Sequence, residues 1–253
     1  MQRLAQRLIL GFTLVAGCAQ PPPPVAKRDY PLEADALLHG LGPGKTCRND
    51  HDCQEGAVRA VCTLGTCFGL LTSDERVTRA LLVERVAQAD PPLQAEVVKP
   101  LLAALASDTT TNGQKLGAID GLSAVKKAPD EVLVTLRLFA ANTDEVLASA
   151  ARLALGRMGD ETVRSALLED LTRGTELLRA EAARALQPAA QDASVKKALV
   201  TALGDGSAVV QLAAVRALAP VVQDRIVADK LRELAARTPA FRYEVEQLVG
   251  GGK

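Results

Sequence analysis

Apolar residues recur on one helical face in four segments of the chain. In each segment they occupy positions i, i+4, i+7 and i+8, a spacing typical of an amphipathic helix. The four copies begin at Gln114, Leu147, Leu178 and Val210, and they end at Leu122, Leu155, Leu186 and Leu218. The end positions are 33, 31 and 32 residues apart. A second helical pattern follows each copy, most clearly from Val163 and from Val195, so the predicted repeating unit is a pair of helices.

Polar residues at fixed offsets predict where these helices begin. A side-chain oxygen three residues before each first helix is placed to cap its free amides. The predicted caps are Thr111, Asp144, Thr175 and Ser207 for the first helices, and Asp130, Asp160, Asp192 and Asp224 for the second helices. Gly156, Pro188 and Pro220 are predicted to lie in the turns within the pairs.

Small residues in the first helices predict close stacking of successive pairs. The central positions of the four copies are Ala118, Ala151, Ala182 and Ala214. One pair cannot bury its apolar face alone, so consecutive pairs are expected to cover one another and form an elongated rod. The more charged segments 74–90 and 239–249 are expected to cap its ends.

The best copy, Leu178-Arg-Ala-Glu-Ala-Ala-Arg-Ala-Leu186, resembles the V-R-x-x-A-A-x-A-L-G pattern of short HEAT repeats, such as those of phycobilisome lyases. Gln187 replaces the final glycine of that pattern. The resemblance covers residues 74–249 and implies an all-α fold, a HEAT-like α-solenoid of stacked helix pairs. In HEAT stacks the second helices usually line the concave side. That habit implies a binding face made of Arg164, Glu169, Lys196, Lys197, Thr201, Lys230 and Glu233.

The N-terminal segment predicts export and a lipid anchor. Residues 1–17 contain Arg3 and Arg7, no acid, and then a short apolar run, which is the layout of a cleaved signal. Leu14-Val-Ala-Gly-Cys18 resembles the lipobox of bacterial lipoproteins, which implies cleavage before Cys18 and its modification with acyl chains. Such an anchor is effectively permanent. Ala19 after the cysteine favours the outer membrane, facing the periplasm or the exterior.

Two short segments are predicted between the anchor and the repeats. Residues 18–45 contain four consecutive prolines and several glycines, so they are expected to form an extended tether. Residues 46–69 hold the other cysteines, and an even number in an exported chain predicts two disulfides. The cysteines are Cys47, Cys53, Cys62 and Cys67. Three pairings are possible, and first-to-third with second-to-fourth is the one we favour. The gaps between them do not match a zinc site.

Composition narrows the function. The 30 basic and 30 acidic residues balance, so a nucleic-acid partner is not expected, and loss of Arg3 and Arg7 leaves 28 against 30. Both histidines precede the repeats, which also lack cysteine, so neither an enzyme nor a bound metal or cofactor is expected. We therefore expect a membrane-anchored scaffold that binds another envelope or extracellular protein. The alternatives are a lyase-like or other ligand-handling enzyme on the same fold, and a spacer that binds nothing.

Overall fold

A computed structural model describes most of the repeat region and parts of the segment before it. The described residues are 28–39, 48, 52, 54–55, 58–59, 61–63, 66–71 and 76–250. Cys18, Cys47 and Cys53 lie outside them, as do the predicted signal and the prolines after it.

The described residues form twelve α-helices and four very short strands. The helices are α1 (Tyr30–His39), α2 (Arg76–Gln88), α3 (Pro91–Ala106), α4 (Asn112–Ser123), α5 (Asp130–Ala140), α6 (Glu145–Arg157), α7 (Arg164–Arg173), α8 (Glu176–Ala185), α9 (Ala193–Ala202), α10 (Ala208–Ala217), α11 (Arg225–Arg237) and α12 (Arg242–Gly250). The strands are β1 (Gln54–Glu55), β2 (Val58–Arg59), β3 (Val61–Thr63) and β4 (Thr66–Phe68). None of the helices in this part of the chain is long and apolar enough to cross a membrane.

Helices α2 to α12 form an all-α solenoid, as predicted. Even-numbered helices are the first helices of each pair and odd-numbered helices are the second. From α2 to α10 each first helix packs on the next, α3 packs on α5 and α7 on α9, and α5 and α7 also pack on the first helices that follow them. One continuous apolar core runs through the stack. The four central alanines are all fully buried, which confirms close stacking of the first helices.

The cap predictions are confirmed at seven of eight positions. Each predicted first-helix cap accepts a backbone N–H from its own helix. Asp192 and Asp224 cap α9 and α11, and Asp160 caps the 3-10 turn that leads into α7. The prediction is wrong at Asp130, which is already the first residue of α5 and follows Pro129 at the cap position. Proline disfavours the helical conformation in the residue before it but leaves the residue after it free to be helical. The helix therefore starts at Asp130, one residue earlier than the sequence pattern indicates.

The turns within the pairs are confirmed at the two prolines but not at Gly156. Pro188 and Pro220 lie in 3-10 turns between the helices of their pairs. Gly156 lies inside α6, and a Cβ atom there would be 2.4 Å from Leu167 Cδ1. The chain turns at Gly159 instead, whose φ of 78° favours glycine. The glycine at 156 therefore permits close helix packing, whereas Gly159 permits the turn.

Helix α1 is the main difference from the predicted tether. Residues 30–39 pack on α3, and Leu38 is fully buried. The Glu33 side chain, only 4% exposed, accepts hydrogen bonds from Arg28, which also pairs with Asp90 at the start of α3. The other residues of the predicted tether, 18–27 and 40–45, lie outside the described residues. The sequence prediction missed α1 because its proline and its neighbouring glycines resemble a linker.

The strands form two antiparallel hairpins in the segment predicted to be the disulfide module. In the second hairpin Cys62 lies directly opposite Cys67 in the backbone register. Directly after it, the backbone amides of Leu70 and Leu71 donate to the carbonyls of Leu37 and Leu38 at distances of 2.9 Å. This end of the segment is therefore joined to α1, and both leucines are buried.

Candidate functional site

An open groove of about 860 Å³ crosses the first-helix face of the solenoid. Its walls come from the four successive first helices α2, α4, α6 and α8. Apolar side chains line most of it, namely Val83, Leu116, Val146, Leu153 and Leu177. The groove therefore spans four neighbouring helices of one face.

The side chains between the helices explain the close packing of this face. First helices stack through alanines such as Ala151 and Ala182, whereas the buried positions of second helices carry larger residues such as Leu136 and Leu199. The distance between packed helices follows the size of the side chains at the contact. Small residues at these contacts therefore favour a close approach of successive first helices.

Small side chains on the outer surface of the first helices make the groove deep. They are Ala80, Ala87, Ala124, Ser149 and Ala150. Because none of these side chains extends far from its helix, the larger apolar residues beside them stand as walls. The sizes of the side chains that face outward therefore determine the shape of the groove.

Large apolar residues are exposed at one repeated position of this face. Val146, Leu177 and Val209 each come directly before the first buried position of their copy, and their exposed fractions are 64%, 52% and 45%. The first two line the groove. A side chain this apolar at an equivalent exposed site in three consecutive repeats favours a contact surface over chance.

A row of alternating charges crosses the groove, one from each first helix. The row is Arg79, Asp120, Arg157 and Glu181. Arg157 lies 3.6 Å from Asp120 and 2.8 Å from Glu181. Burial raises the pKa of Asp120, although Arg157 and Arg79 pull it down. The row links four repeats across an otherwise apolar surface.

One cation of this row is incompletely satisfied. The Nε atom of Arg79 is buried and has no hydrogen-bond partner among the described residues. By contrast, each of the three groove acids has an arginine partner, since Arg157 pairs with Asp120 and Glu181, and Arg152 pairs with Glu145 at 2.6 Å. The acids that line the groove are therefore all paired with arginines, and the Nε atom of Arg79 is enclosed beside Asp120.

The groove opens at one edge into a smaller hollow of about 450 Å³ with a basic rim. Ser123, Ala124 and Arg157 line both cavities, and Lys126 and Lys127 lie beyond them. Both lysines are exposed. The basic rim therefore belongs to the turn between α4 and α5 and not to the groove itself.

The seven residues of the predicted binding face lie on or next to the second helices, away from the groove. None of them lines it. Glu169 pairs with Arg173 at 3.0 Å and Lys230 with Glu233 at 2.7 Å, both within one helix, while Lys197 and Thr201 are exposed. A role for these residues in binding stays a prediction.

The other two residues, Arg164 and Lys196, join successive repeats. Arg164 donates to Asp192 at 3.2 Å, and Lys196 donates to Asp224 at 2.8 Å. In each case the acceptor is Oδ2 of an aspartate whose Oδ1 caps the next second helix. These two cations therefore have a structural role that the sequence pattern did not reveal.

The same double use of a capping aspartate occurs at three more places. The second oxygen of Asp90, Asp144 and Asp160 accepts from Arg28, Asn112 and Arg137. We call the five linked aspartates the cap ladder; they are Asp90, Asp144, Asp160, Asp192 and Asp224. Hydrogen bonds, first from Ser194 and from Lys196, lower the pKa values of Asp192 and Asp224. Asp192 and Asp224 are therefore charged at neutral pH.

The groove has a chemistry suited to binding. Its polar lining consists of carboxylates, arginines and the hydroxyls of Ser123, Ser149 and Thr175. Within the described residues no three His, Cys, Asp or Glu side chains are grouped so as to hold a metal ion. A sequence signal for this surface was available, because an apolar residue directly before the first position of a copy must face outward. The helical pattern was used only to find the buried positions, so these outward residues were missed.

No protein-family model and no curated protein matches the chain. Among solved structures it is similar to an engineered protein, with 22% identity and a TM-score of 0.45, over 71% of this chain and 92% of that one. It is also similar to a designed armadillo repeat protein in complex with the peptide (KR)4, with 18% identity and a TM-score of 0.43, over 72% of this chain and 94% of that one.

Proposed function

We propose that this chain is a lipid-anchored envelope protein whose solenoid binds a partner protein in the first-helix groove. The observation that carries the proposal is the groove of about 860 Å³, with exposed apolar walls repeated from one first helix to the next. Apolar surface that remains open to water favours association because binding removes it from water.

The anchor and the groove together define the role. Acyl chains on Cys18 would hold the protein at a membrane, and residues 18–27 would connect them to α1. Arg28, bound to Glu33 and Asp90, fixes the point where that connection meets the solenoid. A partner held in the groove would thereby be kept near the membrane surface.

Site-specific crosslinking in cells tests the groove. A photoreactive amino acid at Ser149, inside the groove, is expected to give a discrete adduct with one protein. The same group at Thr201, on the second-helix face, is the matched control and should give none. Val146→Ser with Leu177→Ser should abolish the adduct while the melting temperature stays unchanged, because both side chains are exposed. An adduct that survives this double variant would refute the groove.

The second-helix face requires its own variant. Lys197→Glu is suitable, because Lys197 is exposed, whereas Lys196→Glu would place a negative charge against the capping Asp224 and lower the melting temperature. If Lys197→Glu removes the adduct and the groove variant does not, the binding face is the one implied by the HEAT resemblance.

The anchor is tested separately. Cells given a palmitate analogue should label the wild-type chain and not Cys18→Ala, and the variant should leave the membrane fraction. An unlabelled wild-type chain would end the lipoprotein proposal, but the groove would remain to be judged by crosslinking.

A further inference from the structure

We infer that residues 18–27 of this chain occupy the groove until a partner protein displaces them. The inference rests on the proposed function, because it names the segment that competes with the partner for the same surface. Three observations carry it: the position of Arg28, the length and composition of the segment before it, and the hydrogen-bonding groups of the groove.

The position of Arg28 brings this segment to one end of the groove. Arg28 lines a hollow of about 400 Å³ together with Gln88 and Asp90, at the turn between α2 and α3. Its ion pair with Asp90 holds it there. Ala87, next to Gln88, lines the groove. Adjacent residues of a helix point about 100° apart, so the segment has only to pass one side of α2 to enter the groove.

The length of the segment matches the groove. Four consecutive prolines, Pro21 to Pro24, favour the polyproline II conformation, in which ten residues reach about 31 Å. Packed helices lie about 8 to 10 Å apart, so the walls from α2 to α8 extend over about 24 to 30 Å. After passing α2, the segment is therefore long enough to reach the wall formed by α6, where Ser149 lies.

The composition of the segment suits an apolar surface. Lys27 is its only charged residue, and seven of its ten residues are proline, alanine or valine. Because the ring of proline already fixes the backbone angle φ, a proline segment loses little conformational freedom when it binds. Such a segment can cover the exposed walls at Val146 and Leu177 without placing a charge between them.

The hydrogen-bonding groups of the groove also suit a proline segment. Proline has no backbone N–H, so residues 21–24 need donors for their carbonyls but no acceptors. The acids of the groove are already paired with arginines, whereas Ser149 and Thr175 supply hydroxyl groups to its lining. A hydroxyl can donate to the carbonyl of an extended chain. A segment with free N–H groups would instead compete for carboxylates that Arg152 and Arg157 already hold.

Attachment to the same chain makes a weak contact sufficient. A segment joined directly to its site has an effective concentration of millimolar order. A contact with a dissociation constant of about 0.1 mM would then keep the groove occupied in roughly nine molecules of ten. Because a partner has to displace the segment, its apparent affinity falls by about tenfold. Displacement also frees about 31 Å of chain between the membrane anchor and α1.

Photocrosslinking of the purified, lipidated chain on phospholipid vesicles tests the inference in the absence of a partner. A photoreactive amino acid at Ser149 should form an adduct that keeps the mass of one chain and lies on the tryptic peptide ending at Lys27. The same group at Thr201, on the second-helix face, should give no such adduct. An adduct with a second copy or with lipid, or no adduct on residues 18–27, would overturn the inference.

Two matched substitutions locate the contact. Pro23→Asp places a charge in the middle of the segment and should lower the adduct yield at least about tenfold, because the apolar walls leave that carboxylate without a partner. Pro43→Asp, the same change in the segment after α1, should leave the yield unchanged. Val146→Ser with Leu177→Ser should lower it as Pro23→Asp does. If Pro23→Asp gives as much adduct as wild type, the segment does not bind the groove.

A measurement in cells separates this inference from the proposed function. Pro23→Asp should raise the yield of the partner adduct at Ser149, because the competing segment no longer holds the groove. An unchanged yield would contradict the competition. A partner adduct in cells, without the adduct on residues 18–27 on vesicles, would retain the binding function and reject the competing segment. The reverse result would retain the segment in the groove and reject a partner there.

Discussion

The two faces of the solenoid use charged residues in opposite ways. On the second-helix face, cations such as Arg137, Arg164 and Lys196 bind the free oxygens of capping aspartates in the next repeat. On the first-helix face, the charges form a row across an open apolar groove instead of binding capping residues. A charged surface is therefore weak evidence for binding until its partners within the chain are known.

The exposed apolar residues of the two faces also differ in their surroundings. The exposed apolar side chains of the first helices recur from repeat to repeat and border an enclosed volume. Those of the second helices, such as Leu138 and Ile226, are exposed by 71% and 70% but border none of the larger cavities in the described part of the chain. The proposal for the first-helix face therefore rests on periodic exposure beside a cavity, and not on exposure alone.

The largest expected effect tests which side of a second helix holds the stack together. Leu199→Ala removes a fully buried side chain from α9 and should lower the free energy of unfolding by about 2 to 5 kcal/mol. Leu138→Ala, on the outer side of α5, should change it by less than about 0.5 kcal/mol. Urea unfolding followed by circular dichroism measures both. Equal losses would mean that the outer side is covered.

A smaller effect tests the close packing of α6 against α7 and α8. Gly156→Ala places a Cβ atom 2.4 Å from Leu167 Cδ1 and 3.0 Å from the carbonyl oxygen of Ala185. The expected loss is about 1 to 3 kcal/mol of unfolding free energy. Gly206→Ala is the matched control, because nothing lies within 4 Å of its added Cβ. Unchanged stability of Gly156→Ala would contradict the close stacking.

The cap ladder predicts acid sensitivity of the second-helix face. Because the pKa values of Asp192 and Asp224 are lowered in the folded state, their contribution is present above the ordinary value of 3.8 and is lost as pH falls through the folded value. Asp192→Ala should therefore lower the melting temperature at neutral pH, and the difference from wild type should shrink in strong acid.

Asp229→Ala is the control for the ladder. Asp229 pairs only with arginines of its own helix, Arg225 and Arg232. Its replacement should change the melting temperature less than Asp192→Ala at neutral pH. A difference from wild type that stays constant down to about pH 2 in Asp192→Ala would show that the charge of this carboxylate does not matter.

The smallest expected effect concerns Asp120 in the groove. Its contribution to stability changes with pH in the opposite direction to that of the cap ladder. Burial raises the pKa of Asp120, so its contribution is complete below the ordinary value of 3.8 and is lost as pH rises through the folded value. Relative to Asp120→Asn, wild type should gain stability on acidification, whereas relative to Asp192→Ala it should lose stability. Melting curves over the same pH range measure both. Parallel pH profiles for the two variants would contradict the predicted difference in pH dependence between the two faces.

Local sequence patterns predicted the helices and their caps better than they predicted contacts between distant segments. Helical spacing and cap residues depend on neighbours a few residues away, so Thr111, Asp144 and Ser207 were recognisable from local pattern alone. Helix α1 escaped because its burial against α3 depends on residues some sixty positions later. Gly156 was misread for a similar reason, since its role depends on Leu167 in another helix.

The repeat period, the helix pairs and most of their caps were determined by the sequence itself, because each follows from residues within one or two turns of helix. Tertiary structure alone decided which outward side chains border the groove, because its walls come from four different helices. The same packing joined Arg164 and Lys196 to capping aspartates of the next repeat, since hydrogen bonds between repeats exist only once the helices are stacked.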